Sequence, residues 1–257
     1  MKLTLNFSRP LTRAYWWREV PNFGDALAPL LLERFAGVKT VWDTVSHSAI
    51  VSVGSVLEHV PPLWDGYILG SGRLIEGSRT NIVQYKSGIT AKILAIRGPL
   101  SARGIPGDYA LGDPGILANE LVGPQEKLWD LGLVPHWQDA ELVARFQNII
   151  PVTSTFVVVN TADDPLTALK KIGACRRIVT SSLHGMITAD AFGIPRRVET
   201  CAQMKNDGGS FKFRDYSASI KTPLKIGEMQ EPSRFFVEDV QFAIYDAYQT
   251  LKEALRR

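Results

Sequence analysis

Residues 179–195 read VTSSLHGMITADAFGIP, and this stretch joins a strand to a helix through two serines. The apolar run that ends at Thr180 predicts a buried strand over residues 177–180, and a helix is predicted over residues 184–192. Ser181 and Ser182 lie between them, where hydroxyl groups accept hydrogen bonds from the free N–H groups of a helix start. Strands that pass directly into helices are the building units of parallel sheets in α/β proteins.

The same alternation of strand and helix recurs along the chain. Further strands are predicted over residues 2–8, 38–42, 49–53, 66–69, 92–96, 131–135, 155–159 and 196–198. Helices are predicted over residues 25–35, 138–146 and 164–172, with Asp25 capping the first helix and Gly37 just past its end. We therefore predict the α/β class, with helices packed on parallel sheets.

A turn-rich, polar segment divides this pattern into two halves. Glycines and prolines cluster between residues 112 and 127, and we predict a domain boundary near residues 120–128. This boundary gives an N-terminal domain over residues 1–124 and a C-terminal domain over residues 125–232. Residues 233–257 carry apolar side chains at helical spacing, which predicts a long amphipathic helix.

Composition restricts the classes of protein to which the chain can belong. The 257 residues carry 29 basic and 26 acidic side chains, a net charge of +3 that is too balanced to predict a nucleic-acid partner. With only 2 cysteines, a disulfide scaffold and a multi-cysteine zinc site are excluded, and no metal site is predicted. No apolar run predicts a membrane span or a signal peptide. We expect a cytoplasmic protein, with peripheral attachment to the inner face of the membrane left open, and the sequence predicts no oligomeric state.

Polar residues at the carboxyl ends of strands are the candidate site, because ligands of open α/β sheets bind there. Asn22, Gly24 and Asp25 precede the first long helix and can present N–H groups to a ligand, although an ordinary capped helix start is the simpler explanation. His136 follows a strand and stands next to Trp137, whose ring offers a face for sugar stacking. His136 either contacts a substrate or caps the next helix.

Three cations are candidates for binding an anion. Arg73 follows the GSG turn at 70–72, which either cradles a phosphate or makes a tight strand exit. Arg97 ends the strand over 92–96, where it can pair with a carboxylate or phosphate; a surface salt bridge is the alternative. Lys212 belongs to the segment FKFRDY at 211–216, which either closes over a ligand or forms an ordinary surface.

The strand-to-helix junction holds the strongest candidates. Ser181 and Ser182 can share the free N–H groups of the helix start with an anion. His184 falls in the first turn of the same helix and titrates near neutrality, so it can act as a general acid or base.

Several blocks, taken in order, resemble the polysaccharide pyruvyl transferase family. They are NFGDALAP at 22–29, GSG at 70–72, IRGPLSA at 96–102, GDPGIL at 112–117, GLVPHW at 132–137 and TSSLHGMITADAFGIP at 180–195. The resemblance covers about residues 20–220, and bacterial exopolysaccharide ketal-pyruvate transferases are the nearest type. It implies two Rossmann-like domains in a glycosyltransferase-B-like arrangement, with the acceptor on the N-terminal side and the donor on the C-terminal side.

The resemblance also implies a reaction. Phosphoenolpyruvate would be the donor, and a sugar of a surface polysaccharide, often lipid-linked, would be the acceptor. Pyruvate would become a ketal across two sugar hydroxyls with release of phosphate, and no organic cofactor is implied. This chemistry needs a proton for the methylene carbon of the donor and cationic or N–H groups for its carboxylate and phosphate.

Residue roles follow from the match to the family's motifs. His184 matches the histidine of the C-terminal motif and is predicted to be the acid–base group. Arg97 matches the arginine of the family's RGPLS-type block. The predicted donor-binding residues are Arg97, Ser181, Ser182, Arg73 and Lys212, and the predicted acceptor-binding residues are Asn22, Asp25 and His136.

The chain departs from the family in two ways. Some members have an arginine two residues before the histidine, where this chain has Ser182; Arg73, Arg176, Arg177 and Lys212 are the candidates to supply the missing charge. The chain is also short for the family, so a reduced N-terminal domain or reduced acceptor loops are expected.

Two other functions stay open at this point. One is a glycosyltransferase-B-type enzyme with a nucleotide-sugar donor, in which Glu199 would contact a ribose. The other is a non-catalytic carbohydrate-binding protein that keeps the fold.

Overall fold

The computed structural model describes residues 11–78, 90–200 and 209–256. The strand predicted over residues 2–8 lies outside these ranges. The first described strand, β1 (Thr12–Tyr15), was not predicted. Its neighbours in the sequence are polar or bulky, so no apolar run marks it; pairing with strands on both sides defines it instead.

Within the described residues, the first sheet contains six strands, all parallel, in the order β2-β1-β3-β4-β5-β6. The other five are β2 (Thr40–Trp42), β3 (Ile50–Val51), β4 (Tyr67–Ser71), β5 (Lys92–Ile96) and β6 (Ala110–Leu111). β2 to β5 fall where strands were predicted. β6 was not predicted, because its two residues are too few to show a pattern.

The second sheet contains five strands in the order β11-β10-β9-β7-β8. They are β7 (Leu131–Val134), β8 (Phe156–Val158), β9 (Ile178–Thr180), β10 (Arg196–Val198) and β11 (Met229–Gln230). β7 to β10 run parallel and match the predicted strands, whereas β11 is antiparallel to β10 and was not predicted. Two largely parallel sheets confirm the α/β class.

Each sheet has a point where the strand order reverses. In the first sheet β1 lies between β2 and β3, and in the second sheet β7 lies between β8 and β9. At such a switch point the connections leave in opposite directions and open a crevice at the carboxyl ends of the strands, where α/β proteins bind ligands. The residues that follow β1, β3, β7 and β9 are therefore in position to form a site.

Seven α-helices connect and cover the strands in the described residues. They are α1 (Leu27–Leu31), α2 (Asn119–Val122), α3 (Glu141–Gln147), α4 (Pro165–Gly173), α5 (Leu183–Ala191), α6 (Phe211–Ser219) and α7 (Arg234–Ala254). Asp164 caps α4 and Ser182 caps α5 through their side chains. The prediction that Asp25 caps the first helix is wrong: α1 begins later, after Ala26, without a side-chain cap. Gly37 ends that helical segment with a φ of 66°, as predicted.

The last helix packs on the first sheet, although the second sheet precedes it in the sequence. Val240 and Ile244 of α7 lie so close to Gly112 that a β-carbon there would stand 2.5 Å from the Val240 side chain. Gln249 donates a hydrogen bond to the Phe35 carbonyl at 3.2 Å. The chain therefore returns to its first half, while the limits 1–124, 125–232 and 233–257 and the glycosyltransferase-B-like arrangement stay predictions.

One apolar core joins elements from both halves of the chain. Leu31 of α1, Met186 of α5, Tyr216 of α6 and Ile244 of α7 belong to the same buried cluster. All nine residues of α5 are buried, so the helix that carries His184 is held from every side. Packing of this kind fixes side chains in single rotamers and gives the site a rigid base. No helix in the described ranges has the length and apolar character needed to cross a bilayer.

Candidate functional site

A solvent-open cleft of about 750 Å³ lies at the carboxyl ends of both sheets. Residues that follow β1, β3, β7 and β9, the strands at the two switch points, line this cleft. The first half supplies Trp17, Asn22, Asp25, Ser55 and His59, and the second half supplies His136, Trp137, Ser182, His184 and Lys212. The cleft therefore combines hydroxyl, amide, imidazole, carboxyl and ammonium groups from blocks far apart in the sequence.

The start of α5 places His184 at the edge of the cleft. Ser182 Oγ accepts a hydrogen bond from the Gly185 N–H at 3.4 Å and caps the helix. Gly185 is needed for close packing, since a β-carbon there would lie 2.3 Å from Thr180 Oγ1. The glycine thus lets α5 begin directly against the end of β9, and His184 follows the strand by only one turn.

Asp113 stands behind His184. Its Oδ1 accepts a hydrogen bond from the Gly115 N–H at 2.9 Å, and its Oδ2 lies 3.9 Å from His184 Nε2. Both Oδ2 and Nε2 are buried without a hydrogen-bond partner. A separation of 3.9 Å is too long for a hydrogen bond, but catalytic contacts of this type often tighten when a ligand binds.

The surroundings keep the imidazole of His184 neutral. Burial, assisted by the positive charges of Arg97 and Lys212, lowers its pKa to about 3. Burial raises the pKa of Asp113 to about 6, against the opposing effects of the Gly115 N–H and Arg97. At neutral pH a largely ionised carboxylate therefore faces a neutral imidazole, and it favours the tautomer with the proton on Nε2.

The NFGD loop packs against the other side of the imidazole. A β-carbon on Gly24 would lie 2.0 Å from His184 Nδ1, so only glycine fits at this position. Asn22 Oδ1 accepts a hydrogen bond from the Gly24 N–H at 3.0 Å and closes the loop. Nδ1 therefore lies at the loop that leads into the cleft, whereas Nε2 faces Asp113.

Asp25 is a buried carboxyl group in the wall of the cleft. Asn22 Nδ2 donates a hydrogen bond to its Oδ2 at 2.7 Å, and its Oδ1 lies where a β-carbon of Gly54 would be, 2.4 Å away. Burial and the negative charge of Asp113 together raise the pKa of Asp25 to about 7, against the opposing effect of Lys212. A substantial fraction of Asp25 is therefore protonated at neutral pH.

His136 reaches the cleft from the end of β7. Its backbone N–H donates to Ser181 Oγ at 2.9 Å, and its Nδ1 accepts the Gln138 N–H at 3.3 Å. The second contact places the ring proton on Nε2. Burial, assisted by Lys212, lowers the pKa of His136 to about 3. Ser181 is fully buried and serves as a support for this turn; it is absent from the cleft wall.

Helix α6 brings Lys212 into the cleft from the second half of the chain. One turn later, Asp215 accepts hydrogen bonds from the Leu100 and Ser101 N–H groups, each at 2.9 Å, and pairs with Arg97 at 2.9 Å. A β-carbon on Gly98 would lie 2.1 Å from the Asp215 carbonyl oxygen. The RGPLS block therefore packs directly against α6 and fixes the position of the helix that carries Lys212.

Arg97 itself does not line the cleft. It is fully buried and, besides Asp215, donates to Ser55 Oγ and to the Arg73 carbonyl, both at 2.6 Å. Gly72 of the GSG turn makes room for its guanidinium, which a β-carbon would approach to 2.2 Å. Its effect on the cleft is electrostatic, through His184 and Asp113.

Arg73 is also used within the protein. Its guanidinium donates to the carbonyl oxygens of Ser101, Ser78 and Arg103 at 2.7–2.9 Å. It holds these loops together and is absent from the wall of the cleft. Of the five residues predicted to bind the donor, Ser182 and Lys212 line the cleft, and so do all three residues predicted to bind the acceptor.

Several residues of the site were not predicted. Asp113 belongs to a GDPG sequence, which is typical of an ordinary turn and does not by itself indicate a function. Asp215 is part of no motif that would indicate a role in the site. His59 also lines the cleft, and it shares a 2.7 Å hydrogen bond with Tyr15. The topology brings these residues together, and no local spacing could have shown it. Within the described residues, no three metal-ligating side chains form a cluster.

Comparisons with known proteins agree with the resemblance found in the sequence. Residues 90–198 match the family model described as polysaccharide pyruvyl transferase. The chain is 28% identical over 216 residues to the succinoglycan biosynthesis protein ExoV of Rhizobium meliloti (strain 1021). The matched region covers 80% of this chain and 64% of that protein. It is 24% identical over 209 residues to the uncharacterized protein L143 of Acanthamoeba polyphaga mimivirus, covering 79% of this chain and 71% of that protein. The resemblance to the pyruvyl transferase family is thereby confirmed, and the chain spans about two thirds of the length of these relatives.

Proposed function

Because residues 90–198 carry the sequence pattern of polysaccharide pyruvyl transferases, we propose that this chain transfers pyruvate from phosphoenolpyruvate to a sugar of a surface polysaccharide or of its lipid-linked precursor. The product is a ketal across two sugar hydroxyls, and phosphate is released. No organic cofactor or metal takes part in this proposal. We place the reaction in the cytoplasm, at or near the inner face of the membrane.

The observation that carries the proposal is the convergence of the family blocks on one cleft. Gly24 of the first block, Asp113 of the fourth and His184 of the last are more than 70 residues apart, yet they pack around one imidazole. Two further blocks help to position α6, which lines the same cleft. Gly72 leaves space for the Arg97 guanidinium, and Arg97 pairs with Asp215 of α6. Scattered motifs that meet at one histidine indicate a common chemical task.

The donor is assigned to the second half of the chain. Phosphoenolpyruvate carries a phosphate and a carboxylate, which suit the positive end of the α5 dipole, the Ser182 hydroxyl and the Lys212 ammonium. Lys212 takes the place of the family arginine for which this chain has Ser182. Arg97, Arg73 and Ser181 would reach a donor only after rearrangement, because their polar atoms are engaged within the protein.

The acceptor is assigned to the side of the cleft that holds Asn22 and His136. The Asn22 amide and the Nε2–H of His136 are suited to hydrogen bonding with sugar hydroxyls, and Trp137, 42% exposed, offers an aromatic face. His184 acts as the acid–base group. Its neutral imidazole accepts the proton of an attacking hydroxyl and passes it to the departing phosphate.

The test is an assay of phosphate release from phosphoenolpyruvate. The purified chain is incubated with phosphoenolpyruvate and a panel of methyl and p-nitrophenyl pyranosides, and phosphate and pyruvate-substituted sugar are measured together. Release of phosphate in step with formation of a ketal supports the proposal. Stabilisation of the chain against heat by UDP-sugars but not by phosphoenolpyruvate would favour the nucleotide-sugar enzyme instead. Sugar binding without phosphate release from any donor would indicate a binding protein.

A further inference from the structure

We propose that the carboxyl group of Asp25 is the catalytic acid that delivers a proton to the methylene carbon of the donor. This inference rests on the proposed function and assigns a second proton-transfer group beside His184. The proton on carbon and the proton of the sugar hydroxyl move at different atoms of the reacting pair. Two acid–base groups in one cleft can therefore carry out both proton transfers without reorientation of the bound substrates.

The position of Asp25 satisfies the geometric requirement for such a role. The residue is 6% exposed and lies in the wall of the same cleft as His184. Asn22 holds its Oδ2, and the glycine at position 54 leaves space for its Oδ1, so the carboxyl group has one fixed orientation. The preceding residue, Gly24, packs on the His184 ring, and both Asp25 and His184 line the same cleft.

The charges around Asp25 keep a proton available. Asp113 acts on it with a negative charge and Lys212 with a positive charge. Burial outweighs Lys212 and holds the pKa of Asp25 near 7. A bound donor brings further negative charge, which favours the protonated carboxyl still more. An ionised Asp25 would repel that anion, whereas the protonated form does not.

The step balances in atoms and charge. The C2–C3 π electrons of phosphoenolpyruvate take the Asp25 proton and form a C3–H bond, while a sugar hydroxyl oxygen forms a bond to C2. The proton of that hydroxyl passes to the Asp25 carboxylate and restores it. The C2–O bond to phosphate then breaks with its electron pair on phosphate, and the second hydroxyl attacks C2. The proton of the second hydroxyl goes through His184 to the phosphate.

The experiment compares Asp25→Asn with Asp65→Asn, an exposed aspartate outside the cleft wall. Asparagine keeps the shape of the side chain and the contact with Asn22, but it carries no transferable acid proton. We expect Asp25→Asn to bind phosphoenolpyruvate as tightly as the wild type or more tightly, and to lose roughly 10²–10⁴-fold in kcat at saturating acceptor. A normal kcat with a raised acceptor KM would show that Asp25 only binds a hydroxyl and would overturn the proposal.

A second variant covers the case in which Asp25→Asn fails to fold. Asn22→Asp keeps the oxygen that accepts the Gly24 N–H and places a second carboxylate 2.7 Å from Asp25. The like charge is expected to move the alkaline limb of the kcat profile upward by one pH unit or more. An unmoved limb contradicts the role of Asp25. Failure of the proposed function is a separate result, since the wild type would then bind no phosphoenolpyruvate.

Discussion

His184 Nε2 and Asp113 Oδ2 face each other at 3.9 Å, and neither atom has a hydrogen-bond partner. Two buried polar atoms without partners cost stability, so their persistence side by side indicates a function. A shift of about 1 Å would bring the two atoms within hydrogen-bond distance. We infer that Asp113 is a positioning residue, which sets the tautomer of His184 and leaves Nδ1 on the side of the NFGD loop.

The first prediction concerns this pair. Asp113→Asn can present an amide N–H to Nε2 and so favours the tautomer with the proton on Nδ1. We expect kcat to fall by roughly 10²-fold, the scale of a small misplacement of a catalytic group, with little change in donor affinity. Kinetics and the ¹⁵N shifts of the His184 ring measure both effects. An unchanged tautomer together with an unchanged kcat would exclude the positioning role.

Removal of the imidazole gives the second prediction. His184→Ala should reduce turnover by roughly 10²–10⁴-fold, because an acid–base group typically contributes that much. His47→Ala is the matched control, since His47 is exposed and absent from the cleft wall. Phosphate release under saturating donor is the measurement. Turnover of the alanine variant near that of the control would remove His184 from the mechanism.

Arg97 provides a prediction about stability rather than about ligand contact. Arg97→Ala leaves the fully buried Asp215 carboxylate without its cation, which should cost about 3–5 kcal/mol of unfolding free energy. Arg13→Ala breaks an exposed pair with Asp43 and should cost less than about 1 kcal/mol. Urea unfolding of both variants tests the difference. A stable Arg97→Ala variant with weakened donor binding would instead support the direct donor contact predicted from the sequence.

The dependence of stability on pH gives the fourth prediction. The pKa of Asp25 is raised to about 7 in the folded chain, above its unfolded value of about 4, so the folded state binds this proton more tightly. The stabilisation is present below pH 4 and is lost as the pH rises toward 7. Asp25→Asn removes this loss, and it should gain stability relative to the wild type between pH 4 and pH 8 at about 1.4 kcal/mol per unit of pKa shift. A difference that stays flat over this range would contradict the raised pKa.

Much of the fold could be predicted from the sequence, because apolar strands and capped helices leave local patterns. β9, the Ser182 cap and α5 were predicted in this way and are observed. β1 and β11 were missed, since their residues show no alternation and acquire strand structure from their neighbours. The prediction that Asp25 caps the first helix was wrong because its carboxyl group accepts a hydrogen bond from the Asn22 amide instead of from an N–H group of the helix.

The site was predicted only where a motif and a strand end coincide. His184, Ser182 and His136 satisfy both conditions and line the cleft. Arg97 also satisfies both conditions, yet it is buried behind the residues that line the cleft. Its guanidinium pairs there with Asp215, which is 118 residues away in the sequence. No local pattern encodes such a long-range pair. Asp113 was missed for the same reason, since its partner is 71 residues later in the sequence.

The most direct test of donor binding at this cleft is a calorimetric titration of phosphoenolpyruvate into the wild type and into Lys212→Met, with Lys170→Met on the exposed side of α4 as the control. We predict saturable binding to the wild type and to the control, weakened roughly 10- to 100-fold in Lys212→Met, as expected for loss of a charge-assisted contact of about 1.5–3 kcal/mol. No binding to the wild type, or equal affinity in all three proteins, would contradict the assignment of the donor to this cleft.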